Sequence, residues 1–165
     1  MRSRASSVLG SLAFLVIAPG MVAGYVPYVI SRWRFRPPLL GLAAGRVVGG
    51  LLVLAGVASI LHSFTRFALE GRGTPAPVAP TETLVVSGQY RYVRNPMYVA
   101  VVGTVVGQAL FFGSLPLVWY ALALWALFHA FVLAYEEPTL ARAYGESYAR
   151  YRAAVNRWLP RPPRP

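Results

Sequence analysis

The 165-residue chain contains no cysteine, no lysine and no aspartate. Without cysteine there is no disulfide framework, no thiolate nucleophile and no thiolate-bound metal, and the redox compartment is left open. Acid is scarce too: Glu70, Glu82, Glu136, Glu137 and Glu146 stand against sixteen arginines, for a formal net charge of +11. Only 13% of the residues are charged, where a soluble domain carries about 25%, and 56% are hydrophobic. This composition excludes disorder and argues against a soluble globule. The two histidines, His62 and His129, make no metal-ligand pair, so no metal is expected. A charge of +11 would suit nucleic acid, but the arginines separate long apolar runs instead of lining one amphipathic face. Membrane proteins distribute charge in this way, so anionic lipid headgroups are the expected partner and nucleic acid is not.

Four apolar runs are long enough, or nearly so, to cross about 30 Å of hydrocarbon as helices. They are 8–30, 47–64, 97–113 and 115–135. The fold class expected is therefore an all-α integral membrane protein of about four transmembrane helices with a cytoplasmic C-terminal helical segment. Pro19-Gly20 and Pro27 should kink the first run, which follows Met1-Arg2-Ser3-Arg4 and reads as an uncleaved anchor. Gly49-Gly50 and Gly56 in the second run allow close helix approach. Only Gly113-Ser114 separates the third and fourth runs, which predicts a tight hairpin returning to one membrane face. With both termini cytoplasmic, twelve arginines lie inside and four (Arg32, Arg34, Arg36 and Arg46) outside, as the positive-inside rule favours. The exterior Arg32-Trp33-Arg34-Phe35-Arg36 loop is expected to anchor at headgroups, as are Arg150 and Arg152.

The resulting organisation is an anchor of two spans over 1–64, a cytoplasmic loop over 65–96, a core over 83–160 built on the hairpin 97–135, and a basic Pro-rich tail over 161–165. Polar groups converge at the mouth of the hairpin. Gly88 to Tyr98 enters the third span, and Glu136-Glu137-Pro138 leaves the fourth. Two adjacent carboxylates at a membrane boundary must be solvated or paired. They could pair with Arg91 and Arg94 and close the hairpin, or hold a cationic ligand beside tyrosine faces. Tyr144, Tyr148 and Tyr151 fall at i, i+4 and i+7, which predicts one shared helix face.

Three of these segments together resemble the isoprenylcysteine carboxyl methyltransferase family, which is related to the phospholipid methyltransferases. They are Tyr90-Arg91-Tyr92-Val93-Arg94-Asn95-Pro96-Met97-Tyr98, then Glu136-Glu137-Pro138-Thr139-Leu140, then Tyr144 to Tyr151, in that order across two spans. The resemblance implies an integral-membrane enzyme that moves a methyl group from S-adenosylmethionine to a lipophilic small-molecule or lipid acceptor, in a bacterial-type inner membrane. It implies cofactor contacts from Thr83, Leu84, Val85, Tyr90, Asn95, Pro96, Met97 and Tyr98, with Glu136 and Glu137 at the cofactor's amino group. Asn95 stands where the family has histidine, Asn156 where it has proline, and Val132 where it has a substrate-carboxylate arginine.

Asn95 and His129 are the candidate catalytic residues. His129 lies seven residues before Glu136, about two α-turns, on the same expected face, where it would orient the acceptor or make an interhelical hydrogen bond. His62 reads as a packing residue near the end of the second span. Two alternatives compete with the methyltransferase. One is a membrane reductase with a nicotinamide cofactor, because some sterol reductases have a similar C-terminal half. The other is a non-enzymatic scaffold held to anionic lipid by its arginines.

Overall fold

The computed structural model describes residues 17–69 and 84–162, with side chains omitted at 67–69. The start of the first run, Thr83, Glu70, Glu82 and the end of the tail lie outside the described residues. Every regular element among those described is helical, and no strand occurs. We label α1 Ile17–Ser31, α2 Ala44–Leu69, α3 Pro96–Phe112, α4 Leu115–Phe131 and α5 Glu137–Ala154. Short 3-10 turns occupy Leu39–Gly41 and Gly88–Arg91. A π turn over Val132–Glu136 carries α4 into α5. Two stretches, Ala44–Arg66 and Leu115–Ala154, are long and apolar enough to cross a membrane. Ile17–Ser31 and Pro96–Phe112 are apolar but shorter.

Packing divides the chain into two units. The first comprises Val16–Ile60 and Met97–Phe128, hence α1, most of α2, α3 and most of α4. Gly113 ends α3 in the left-handed region, φ +68°, and α4 begins two residues later. The two helices run back along each other, so the Tyr98 and Phe128 rings meet at 4.6 Å between centroids. Glycines bring α2 against α3: a Cβ on Gly107 would sit 2.7 Å from the Gly49 carbonyl oxygen and 2.9 Å from the Val53 nitrogen. A Cβ on Gly49 would meet α3 backbone at 2.6 Å, and one on Gly56 would meet the Thr104 hydroxyl and the Ala100 carbonyl, in keeping with the close approach the sequence predicts.

In α1 the prolines act differently from the expected kink. A π turn over Met21–Tyr25 sends the Val26 N–H to the Met21 carbonyl, so the Val22 carbonyl loses its α-helical donor. Pro27 has no N–H for the Ala23 carbonyl. Side chains from α3 and α4 fill both places: Tyr120 Oη donates to the Val22 oxygen at 2.9 Å, and Gln108 Nε2 to the Ala23 oxygen at 2.7 Å. The helix therefore bulges and continues. Gln108 Oε1 also accepts from Trp33 Nε1 at 3.0 Å, which fixes the arginine-rich loop after α1. Trp33 lies edge-on to Tyr28 and stacks on Phe112, while Phe35 packs against Phe111 and Phe112.

The second unit contains the end of α2, residues 84–96, and the chain from His129 onward. Its interior is Phe64, Val85, Tyr90, Val93, Val132, Tyr148 and Val155.

Because the Gly107 site is closed by backbone, Gly107→Ala should cost about 1–3 kcal/mol through overpacking. Gly103→Ala, on the same helix with nothing within 4 Å of the added carbon, should be neutral or stabilising by up to about 1 kcal/mol. Thermal unfolding of the two purified variants in one detergent checks the contrast.

Candidate functional site

The second unit is organised around Glu137, the first residue of α5. Its side chain is buried, with the residue 7% exposed, and it sits between two guanidiniums. Arg157 approaches with both fork nitrogens, Nε to Oε1 at 2.6 Å and Nη2 to Oε2 at 3.0 Å. Arg94 Nη1 lies 3.1 Å from Oε1. Burial alone would push the Glu137 carboxyl up, but the Arg157 hydrogen bond and the charges of Arg94 and Arg157 outweigh it and hold the group below its ordinary value. The same hydrogen bond raises Arg157 in turn. Arg94 is a partner expected from the sequence; the second is Arg157 from beyond α5, while Arg91 points outward on the 3-10 turn.

Around this ion pair the segment after α5 straps back onto the aromatic motif. The Arg94 N–H donates to the Asn156 carbonyl at 2.9 Å and the Arg161 N–H to the Tyr92 carbonyl at 2.8 Å. Asn95, also buried, donates through Nδ2 to the Arg157 carbonyl at 3.2 Å. Tyr151 Oη donates to the Tyr90 carbonyl at 2.8 Å, and Arg94 Nη1 to Tyr148 Oη at 3.4 Å. Trp158 Nε1 donates to His129 Nδ1 at 3.0 Å, which leaves Nε2 as the proton-bearing nitrogen of that imidazole.

Burial raises Tyr90, Tyr148 and Tyr151 above the ordinary phenol range. For Tyr90 a hydrogen bond to Ser63 opposes this and the Glu136 carboxylate adds to it, so Glu136 and Tyr90 lie within electrostatic reach of each other. Glu136 itself is half-buried. The structure thus gathers Tyr90, Asn95, Glu136, Glu137 and His129 in one unit, with Val85 buried and Leu84 half-buried in the extended stretch before the 3-10 turn. Pro96, at the first position of α3, is buried there as well. Met97 and Tyr98 belong to the other unit, where Tyr98 packs on Phe128. Val132 is fully buried in the π turn.

Two expected alignments do not form. The π turn over Val132–Glu136 adds a residue to one turn, so the seven-residue spacing no longer puts His129 and Glu136 on one face. Pro138 is its sequence signal, standing where Pro27 stands relative to the π turn of α1. The tyrosine stripe is likewise broken. Gly145 adopts φ +52°, ψ −123°, so α5 is two helices joined at a kink, with Tyr144 before it and Tyr148 and Tyr151 after it. Arg157 and Trp158, which reach Glu137 and His129, escaped the sequence reading because nothing local to the tail reports a partner 20 or 29 residues away.

The lowered Glu137 carboxyl makes stability depend on pH. Its contribution is complete above the ordinary carboxyl value of about 4.3 and is lost as pH falls through the lower folded value. Thermal melts from pH 7 down to 3 should show this loss in the native chain. Glu137→Gln should flatten that part of the profile and cost about 2–3 kcal/mol at pH 7, discounted for the partly exposed Arg157.

Comparison of the chain with curated proteins and with solved structures gave no match. A family model described as phospholipid methyltransferase matches residues 44–147, more than half of the chain, and takes in both the Tyr90 to Tyr98 motif and the double glutamate. The chain belongs to the phospholipid methyltransferase family.

Proposed function

We propose that this chain is a membrane methyltransferase that transfers the methyl group of S-adenosylmethionine to a lipophilic acceptor, with a cofactor site resembling that of the isoprenylcysteine carboxyl methyltransferases. The family match supports methyl transfer and a lipid acceptor, and the two long apolar helices support a membrane location. In this reading the protein lies in a bacterial-type inner membrane with both termini cytoplasmic.

The observation that carries the site is the division of labour between adjacent carboxylates. Glu137 is held on both oxygens by arginines, while Glu136, one residue earlier at the end of the π turn, is half-buried and within electrostatic reach of Tyr90. Pro138 has no N–H to give the Ala134 carbonyl, so this corner of the helix offers backbone acceptors along with the Glu136 carboxylate. π turns of this kind are frequent at functional sites. Acceptors of both sorts suit the ammonium of S-adenosylmethionine, and the phenol ring of Tyr90 offers an aromatic face to positive charge. When bound, that cofactor supplies an electrophilic methyl group on sulfonium.

The remaining residues bind and orient. Glu136 takes the ammonium, and Leu84, Val85 and Pro96 provide the apolar contacts that the resemblance implies. Asn95 and the Glu137 ion pair fasten the strap after α5, which fixes the aromatic motif. Trp158 fixes the His129 ring so that Nε2 is its donor to an acceptor. An in-line displacement of this type needs no metal, and positioning supplies most of its rate.

Calorimetry of the detergent-purified protein should show S-adenosylmethionine and its demethylated product binding at one site. Glu136→Gln should weaken both by about tenfold or more, the loss of one charge-assisted hydrogen bond, with an unchanged melting temperature. Absence of binding to the native chain would refute the reading, and radiolabelled methyl transfer in native membranes identifies the acceptor.

A further inference from the structure

The arginine-rich loop between α1 and α2 belongs to the first unit and takes no part in the proposed cofactor site. Among the described residues, the non-glycine positions with positive φ are Arg32 (+51°), Trp33 (+49°) and Leu40 (+56°), and all of them lie in this loop. The left-handed region is costly for side chains of that bulk, so each such conformation must be held by what surrounds it. For Arg32 and Trp33 the hold is visible. The Arg32 N–H donates to the Tyr28 carbonyl at 2.6 Å and its guanidinium lies over the Tyr28 ring, while Trp33 is fixed by Gln108 and Phe112. The Arg36 N–H donates to the Phe112 carbonyl at 3.0 Å, and Arg46 reaches back over the Phe35 ring to the Arg36 carbonyl at 2.9 Å. The Pro37 carbonyl fills the space that a Cβ on Gly113 would take. The first half of the loop is thereby fastened to the turn between α3 and α4.

Leu40 is different, because its left-handed turn exposes the side chain. It is 93% exposed, and Leu42, just beyond the turn, is 62% exposed. A costly backbone conformation that presents leucine outward is favourable only where something apolar receives it. The tip runs directly into Ala44, where the apolar stretch Ala44–Arg66 begins, so it stands at the end of a helix long enough to cross a membrane. Arg34 and Arg36 are exposed on the same loop. Apolar tip and guanidiniums together match the boundary between acyl chains and phosphate headgroups. A protein partner would need a surface both apolar and acidic at that depth, which a bilayer already provides. We propose that this loop is an interfacial wedge, in which Leu40 and Leu42 enter the top of the acyl layer while Arg34 and Arg36 bind the phosphates of anionic phospholipid. The sequence points to the arginine run alone as the anchor; the structure commits Arg32 and Arg46 to aromatic rings and adds the leucine tip. Such a wedge requires the membrane location proposed above but not the cofactor site.

Because the chain has no cysteine, one introduced cysteine carries a single fluorescent label. Full-length Leu40→Cys, Leu42→Cys and Leu54→Cys, each labelled, are reconstituted into vesicles of mixed phosphatidylcholine and phosphatidylglycerol and quenched by aqueous iodide or by lipid-borne nitroxide. Leu54, 69% exposed on α2, reports the membrane location itself. Both tip labels should be quenched about threefold more by a nitroxide near the top of the acyl chain than by iodide. With the nitroxide on phosphatidylglycerol, quenching at the tip should be about threefold stronger than with the same nitroxide on phosphatidylcholine, and high salt should weaken that preference. Arg34→Gln with Arg36→Gln should abolish it. If the Leu40→Cys protein melts early, the Leu42→Cys label decides. Lipid quenching at Leu54→Cys with the tip labels open to iodide overturns the wedge, leaves the membrane location standing, and is the result expected of a loop that docks a soluble protein. Iodide access at Leu54→Cys overturns both. Equal quenching from the two lipids, or a preference that survives in the double arginine variant, also overturns the wedge.

Discussion

Taking a carboxylate out of water costs several kcal/mol, and in this chain that cost falls on Glu137. It is offset by geometry: Arg157 binds both oxygens, and Arg94 adds a third contact. These residues come from three separate stretches of chain, the aromatic motif, the start of α5 and the segment beyond it. Once they meet, the Arg94 and Asn95 donors are already aligned with the Asn156 and Arg157 carbonyls, and the Arg161 N–H with that of Tyr92. Breaking the ion pair would leave charge buried and also release the alignment of the strap. The same fixed frame carries Trp158 to His129 and Tyr151 to the Tyr90 carbonyl.

Both π turns have one origin, and each adds a feature that a regular helix lacks. In each, five residues are followed by one more and then by proline, Pro27 or Pro138. The proline withholds one N–H, and the preceding N–H has shifted back by one carbonyl, so two acceptors leave the α-helical ladder. In α1 they are met by Gln108 and Tyr120, and the helix becomes a packing surface that also anchors Trp33. At the α4 to α5 joint the same device sits between Val132 and Glu137, just where one of two neighbouring glutamates enters the ion pair and the other stays half-buried.

The apolar runs, the Gly113-Ser114 hairpin and the glycine contacts of α2 were all readable in the sequence, because length and residue size decide them locally. The gathering of Tyr90, Asn95 and the double glutamate was readable too, since the hairpin has to bring its ends back together. What periodicity could not show was register. One inserted residue at Val132–Glu136 and one left-handed glycine at Gly145 rotate everything beyond them, which separates His129 from Glu136 and splits the tyrosine stripe. Pro138 and Gly145 were the visible signs, but each was compatible with an uninterrupted helix until tertiary contacts chose otherwise. Arg157 was hidden for a different reason: among sixteen arginines nothing in the residue type marks the one that a buried carboxylate selects.

That selection also clarifies the positive charge. With only five acids in the chain, most arginines have no carboxylate to meet, and they sort by what surrounds them. Arg94 and Arg157 meet Glu137, where burial makes pairing obligatory. Arg32 and Arg46 lie over the Tyr28 and Phe35 rings, where an aromatic face offers part of the stabilisation a carboxylate would give.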